Sequence, residues 1–241
     1  MRQIGLGFVL ICLILASSAV YSGPPCFQAG ANLTLGFPQG EFKENVDKVS
    51  VGGTGFFLYQ LPAPMFSVGV SFSYIEYGKD TRSELFANLP VYVDVTTTND
   101  ILYGHLMAQI QPPKGVIRPY LNGLFGFSMF STQTTIENQE SNDENDEIAS
   151  TTHSRDTALN YGFGGGLTIR VYDGSKNMED GISAVSIDLG VRYLKGGNAV
   201  YVKEGTVEVV NNEIVFETFE SETDIVTGHI GVTFNFIART Q

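Results

Sequence analysis

Apolar and polar residues alternate with a period of two along most of this chain, as in strands that bury one face only. Phe66, Val68, Val70, Phe72 and Tyr74 interleave with Ser67, Gly69, Ser71 and Ser73. Val185, Ile187, Leu189, Val191 and Tyr193 interleave with Ser186, Asp188, Gly190 and Arg192, and Val226, Gly228, Ile230, Val232, Phe234 and Phe236 with Thr227, His229, Gly231, Thr233 and Asn235. Residues 29–37, 51–61, 102–111, 118–130 and 159–172 repeat the pattern, and no helical stripe competes with it. The total is eight strands, an even number that suits a closed antiparallel barrel.

The connections differ in length. Pro62-Ala63-Pro64 and Pro112-Pro113-Lys114-Gly115 read as tight turns, and residues 173–181 as a slightly longer one. Residues 38–47, 78–90 and 137–156 read as long polar loops, and the last two strands extend into a hairpin turning near Asn211-Asn212. Short turns at one end and long loops at the other describe an outer-membrane barrel whose short side, with both termini, is periplasmic.

Alternation does not say which face meets which solvent; the polar face decides. A water-exposed face carries many Lys and Glu residues, but here it is mostly Gly, Ser, Thr, Asn and Gln. Small and amide side chains suit the crowded lumen of an eight-stranded barrel, whose width side chains just fill. The apolar face ends in aromatics: Phe37, Tyr74, Tyr161 and Tyr193 toward one rim, Tyr59, Phe66, Phe234 and Phe236 toward the other. Two such girdles, with Val, Ile and Leu between them, are what headgroup boundaries favour. The fold expected is therefore all-β: an antiparallel eight-stranded transmembrane up-and-down β-barrel over residues 23–241.

Charge and cysteine content narrow the setting. With 26 acidic against 14 basic residues and a net charge of -12, the chain lacks the basic footprint of a nucleic-acid binder. Arg2, the apolar run 4–16 and Ser17-Ser18-Ala19 read as a secretory signal over residues 1–22, cleaved near 19–22. That run is shorter than the roughly 20 residues a spanning helix needs. Cys12 falls inside the signal and leaves Cys26 alone in the mature chain. An exported chain without paired cysteines needs another source of cohesion, and barrel closure supplies one.

Arg118-Pro119-Tyr120, Gly164-Gly165-Gly166-Leu167, Ile187-Asp188-Leu189-Gly190-Val191-Arg192-Tyr193 and the closing Val232-Thr233-Phe234-Asn235-Phe236 resemble the outer-membrane β-barrel superfamily of the OmpA/OmpX type, over nearly the whole mature length. The resemblance implies a bacterial outer-membrane location, contact with outer-membrane lipid and lipopolysaccharide, and handling by the barrel-assembly machinery, which reads a terminal aromatic. Here residues 237–241 follow Phe236, a departure from that pattern. No peptidoglycan-binding domain is expected, and Tyr and Phe form the girdles without Trp.

By parity His105, Arg118, Arg170, Asp188, Arg192 and His229 face the lumen, with Arg170 and Asp188 on adjacent strands as an expected ion pair. Buried charges persist when paired, so these residues read as a structural polar plug, with a gate in a narrow pore as the competing reading. An acyl-transfer or hydrolytic site needs a nucleophile, a base and an orienting group within reach. The histidines, His105, His153 and His229, show no such spacing, so no enzyme and no cofactor are expected. In the acidic stretch 137–147, Asp143, Asn145 and Glu147 are spaced like the oxygen donors of a calcium loop but lack its glycine. They are a candidate cation site beside the plainer reading of a solvated loop. The glycines of 162–166 continue a strand and read as room for facing aromatics, and the sequon Asn32-Leu33-Thr34 as chance. The expected function is that of a non-enzymatic outer-membrane protein with acidic surface loops, contributing to envelope structure and to binding of an extracellular ligand. A porin-like channel, a lipid-modifying enzyme and a soluble periplasmic barrel are the alternatives.

Overall fold

Eight long strands wrap into one closed sheet. The computed structural model describes residues 26–85, 92–138, 147–174, 181–202, 208–210, 213–215 and 218–237; the expected signal segment lies outside them. The chain forms β1 (Cys26–Pro38), the short helix α1 (Gly40–Asn45), β2 (Ser50–Gln60), β3 (Phe66–Leu85), β4 (Tyr92–Ile110), β5 (Ile117–Asn138), β6 (Glu147–Asp173) and β7 (Ile182–Gly196). The short strands β8 (Asn198–Val202), β9 (Glu208–Val210), β10 (Glu213–Val215) and β11 (Thr218–Glu222) precede the closing strand β12 (Ile225–Ile237). Strands β1 to β7 pair antiparallel in chain order, and β12 closes the circle between β7 and β1. The up-and-down topology is the expected one.

Register fixes the shape. A walk across the ladders from Phe27 passes Tyr59, Val68, Ala108, Gly123, Phe163, Tyr193 and Val226, and regains β1 at Phe37, ten residues further along. With ordinary strand rise and spacing, that stagger tilts the strands by about 40° and gives a backbone radius of about 8 Å. Side chains just fill the interior of a tube of that width.

The side chains sort as the alternation requires. Leu106, Leu121 and Phe163 are 65%, 68% and 68% exposed on the outside, whereas Asn32, Ser71, His105, Asn122, Asp188, Arg192 and His229 are buried inside. An exterior of Leu, Val, Ile and Phe is at home in hydrocarbon, where closure leaves no strand edge unpaired. Phe37, Tyr74, Tyr161 and Tyr193 fall near one level of the barrel axis, and Tyr59, Phe66, Phe234 and Phe236 near another. By the tilt and rise above, the two levels are about 20 Å apart. Among the described residues no helix is long and apolar enough to cross a membrane.

At the lower end the turns are short and stitched to their neighbours. Gln111 N donates to Met65 O at 2.8 Å, Arg170 N to Val116 O at 2.8 Å, and Ile237 N to Gly181 O at 3.3 Å. Gly115 and Gly181 take φ of 124° and 74°, which side chains disfavour.

The upper end departs from expectation. Much of what reads as loop at 78–90 and 137–156 is strand, since β3 to β6 run 20, 19, 22 and 27 residues and stay paired well above the upper aromatics. Residues 38–47 hold α1 rather than continuous loop. Thr-rich stretches such as Thr96-Thr97-Thr98 and Thr132 to Thr135 carry little apolar contrast, so alternation is faint there, yet β-branched residues suit strands.

Above the girdle the polarity turns over. Ile75 and Tyr77 of β3, Ile101 of β4, Phe130 of β5 and Tyr201 of β8 point inward and are buried. With Phe42 of α1, Ala158, Ala199 and Ile225 they form an apolar core at the upper mouth. The interior is thus mostly polar below, where Phe56, Leu58, Met107 and Leu124 are its buried apolar members, and mostly apolar above.

Because Leu106 lies near mid-height on the lipid face, Leu106→Arg should lower folding stability in phospholipid vesicles by about 2–4 kcal/mol. Thr157→Arg, on the exposed part of the extension, should change it by less than about 0.5 kcal/mol. Urea unfolding of both variants in vesicles measures the difference; equal effects would contradict the assignment of faces.

Candidate functional site in the lumen

At mid-height the lumen is held by a network centred on Asp188 of β7. Tyr120 Oη donates to Asp188 Oδ1 at 2.8 Å and Asn32 Nδ2 to Asp188 Oδ2 at 3.1 Å. The single proton of the Tyr120 hydroxyl is then committed, so His229 Nε2, 3.0 Å away, is the donor to that oxygen. His229 Nε2 also lies 3.7 Å from Asp188 Oδ2. Strands β1, β5, β7 and β12 each contribute one member. Arg192, four residues up the same inward face, donates from Nη1 to Ser71 Oγ at 3.4 Å.

Glycines make room for this packing. A Cβ on Gly166 would lie 2.6 Å from Tyr120 Oη, and one on Gly190 would lie 2.5 Å from it and 2.7 Å from the His229 ring. Of the β6 glycines Gly166 does receive a facing aromatic, while Gly164 makes room for Arg192 and Asn122.

Above the network His105 Nε2 donates to Asn160 Oδ1 at 2.6 Å, and its ring stacks on Tyr103 with centroids 5.7 Å apart. A hydroxyl chain joins Thr34, Thr54 and Ser73 at 2.8 Å per link. The upper mouth is then filled by rings. Phe42 meets Tyr77, Phe130 and Tyr201 edge-on with centroids 5.9, 6.0 and 5.2 Å away. The Tyr201 hydroxyl keeps a polar handle, with Asn45 Nδ2 at 3.0 Å and Ser221 Oγ at 2.8 Å. On the outer face of the extension Glu76 opposes Asp100 across the β3–β4 ladder. Burial, aided by the Glu76 charge, raises the Asp100 carboxyl above its usual range.

At the lower mouth Arg118 of β5 and Arg170 of β6 line a cavity together with Asp173, Gln28, Gln111 and Asn235. The expected Arg170 to Asp188 ion pair is not formed. Arg170 Nη1 instead donates to Asp173 Oδ2 at 3.1 Å. The register explains this: Arg170 stands opposite Ser186, while Asp188 stands opposite Thr168, deeper in the tube. There Asn32 and Tyr120 reach Asp188 from the strands next but one on either side.

No protein-family model matches the chain, and no curated relative matches it. Among solved structures it is similar to Neisserial surface protein A, at 10% identity and a TM-score of 0.41, with 89% of this chain and 97% of that one covered. It is similar to Ail, the attachment invasion locus protein of Yersinia pestis, solved with the heparin analogue sucrose octasulfate, at 14% identity and a TM-score of 0.39, covering 89% and 99%. A major outer membrane protein from Thermus thermophilus is similar at 13% identity and a TM-score of 0.42, covering 88% and 99%.

The six residues assigned by parity to the lumen do not form one cluster. Asp188 and His229 meet in the central network, Arg192 and His105 stand above it, and Arg118 and Arg170 share the lower mouth. Of the candidate cation loop, Asp143 and Asn145 lie outside the described residues and Glu147 opens β6; His153 falls within β6. Among the described residues no three His, Cys, Asp or Glu side chains are placed to hold a metal ion. The parity reading missed Asn32, Tyr120 and the rings of the upper mouth. A signal for the rings was present: after Tyr74 the apolar positions switch phase to Ile75 and Tyr77 with no turn between, and a register shift follows between Glu76 and Gly78.

Removing the Asp188 carboxylate strands several buried polar groups. Asp188→Ala should cost about 3–5 kcal/mol of folding stability, the range for breaking a buried charge network on one side. Asp188→Asn, which keeps an acceptor, should cost less. Urea midpoints in detergent micelles test the order; equal midpoints for wild type and Asp188→Ala would show that the network holds nothing.

Proposed function

We propose that this chain is a non-enzymatic protein of a bacterial outer membrane, and that it works through the surface built by its upper strand extensions. The lower rim and both termini face the periplasm, and the tyrosine-rich upper rim meets the outer leaflet, where lipopolysaccharide surrounds it. Contact with the barrel-assembly machinery belongs to biogenesis. Long loops and extensions on a rigid scaffold are where recognition commonly resides. Here the scaffold continues past the upper girdle, with a water-facing exterior and an apolar core of its own.

The observation that carries this reading is the packed seal of Phe42, Tyr77, Phe130 and Tyr201 over a polar lumen. A porin-like channel would need that seal to part and the Asp188 network to yield. A lipid-modifying enzyme would need a reactive group open to lipid, whereas His105 and His229 each commit a ring nitrogen to a partner inside the barrel. A soluble barrel would expose the Leu106, Leu121 and Phe163 face to water as a large sticky patch.

Membrane fractionation with heat-dependent gel migration should place the folded chain in the outer membrane. In planar bilayers the wild type should show no conductance steps, nor should Phe42→Gly alone, while Phe42→Gly combined with Asp188→Ala, which opens both the seal and the network below it, should give small flickering ones. Steady conductance from the wild type would replace the surface reading with the channel reading. Replacing residues 139–146, which join β5 to β6, by a short Gly-Ser linker should leave that migration unchanged and alter binding of whole cells to host or matrix surfaces.

A further inference from the structure

The lower mouth of the lumen opens into a cavity of about 210 Å³. Two guanidinium groups line it. Arg118 is only 5% exposed, and among the described residues its Nε and Nη2 have no hydrogen-bond partner; neither does Arg170 Nε. Gln111 Nε2 is spent on the Arg118 carbonyl at 3.4 Å and on Thr168 Oγ1 at 3.0 Å, and the amide oxygens of Gln111 and Asn235 are neutral acceptors that leave the guanidinium charge uncompensated. Asp173 takes Arg170 Nη1, but its side chain is half exposed at the rim.

A guanidinium stays charged in any protein, and charges persist in buried places when something pairs with them. This cavity is cationic in a chain whose net charge is -12, so its charge is local and placed. The fork of Arg donors fits oxyanions in bidentate fashion, and a tetrahedral phosphate has enough oxygens to face two forks at once. We infer that the lower vestibule is a binding site for a phosphate-type oxyanion, held between Arg118 and Arg170.

The ion has two sources with the same chemistry. One is free phosphate, and the other is the phosphate of a phospholipid headgroup, because Cys26, Pro64 and Ile237 line the same cavity at the level of the lower aromatics. The site stands whatever the upper extensions recognise.

Isothermal titration of inorganic phosphate into the mature chain folded in dodecyl maltoside, with phosphorus-31 line broadening in parallel, tests it. The wild type should bind saturably, Arg118→Gln and Arg170→Gln at least tenfold more weakly, and Asp173→Asn severalfold more tightly. If Arg118→Gln does not fold, Arg170→Gln at the rim and sulfate competition against the wild type carry the test. Repetition in nanodiscs of phosphatidylglycerol and of a neutral glycolipid separates the sources: binding of free phosphate lost only in phosphatidylglycerol assigns the headgroup, and binding kept in both assigns the free ion. Absence of saturable binding by the wild type, or equal affinity in the arginine variants, overturns the site.

Discussion

A peptide group facing hydrocarbon can satisfy its hydrogen bond only with another peptide group, and in a sheet that means with the next strand. The rest of this structure depends on that constraint. It requires β12 to return to β1, and the ten-residue stagger between Phe27 and Phe37 then sets the tilt and width of the tube. At a radius of about 8 Å the interior belongs to side chains. Gly166 and Gly190 are there because Tyr120 must cross that narrow space to reach Asp188.

The same physics gives the barrel its change of polarity. Between the two aromatic levels the outside is lipid, so burial of apolar area favours Leu and Phe outside and leaves the inside largely to hydroxyls, amides and paired charges, with Phe56, Leu58, Met107 and Leu124 as buried exceptions. Above Tyr74 and Tyr193 the outside is water, and the hydrophobic effect drives apolar groups inward. Ile75, Tyr77, Ile101 and Phe130 obey the second rule on strands whose lower halves, Met107 and Leu124 apart, obey the first. Strand β3 shows the change most plainly, and its bulge at Glu76 and Gly78 lies at that change.

This explains which parts of the fold and site were legible in the sequence. Period-two alternation with a polar lumen phase is forced on every strand that touches lipid, so the number of strands, their order and the inward parity of His105, Asp188 and Arg192 could be read directly. The upper extents could not. Without lipid the contrast between faces fades, and threonine-rich strand reads as loop. Partners inside the lumen were also out of reach, because they skip the paired neighbour and join strands one further round the barrel. Asn32 and Asp188 are 156 residues apart and their strands do not pair, so local spacing offered Arg170 to Asp188 instead. Asn32 was visible only as part of a chance sequon.

The two mouths differ for a reason that follows from these rules. At the top, paired strands, α1 and the β8–β11 hairpin rise into water and enclose enough apolar surface to close over the lumen. At the bottom, the strands stop at the aromatic level and turn within a few residues at Pro62 to Pro64 and Pro112 to Gly115. Among the described residues no apolar core caps that end, and the lumen meets the interface through polar side chains, Arg118, Arg170, Gln28, Gln111 and Asn235, rimmed by Cys26, Pro64 and Ile237. A charged group placed at that level can be buried from the side yet approached from below, which is the position of Arg118 and Arg170. A seal above and a cationic recess below are thus one consequence of strands that continue past the membrane at only one end.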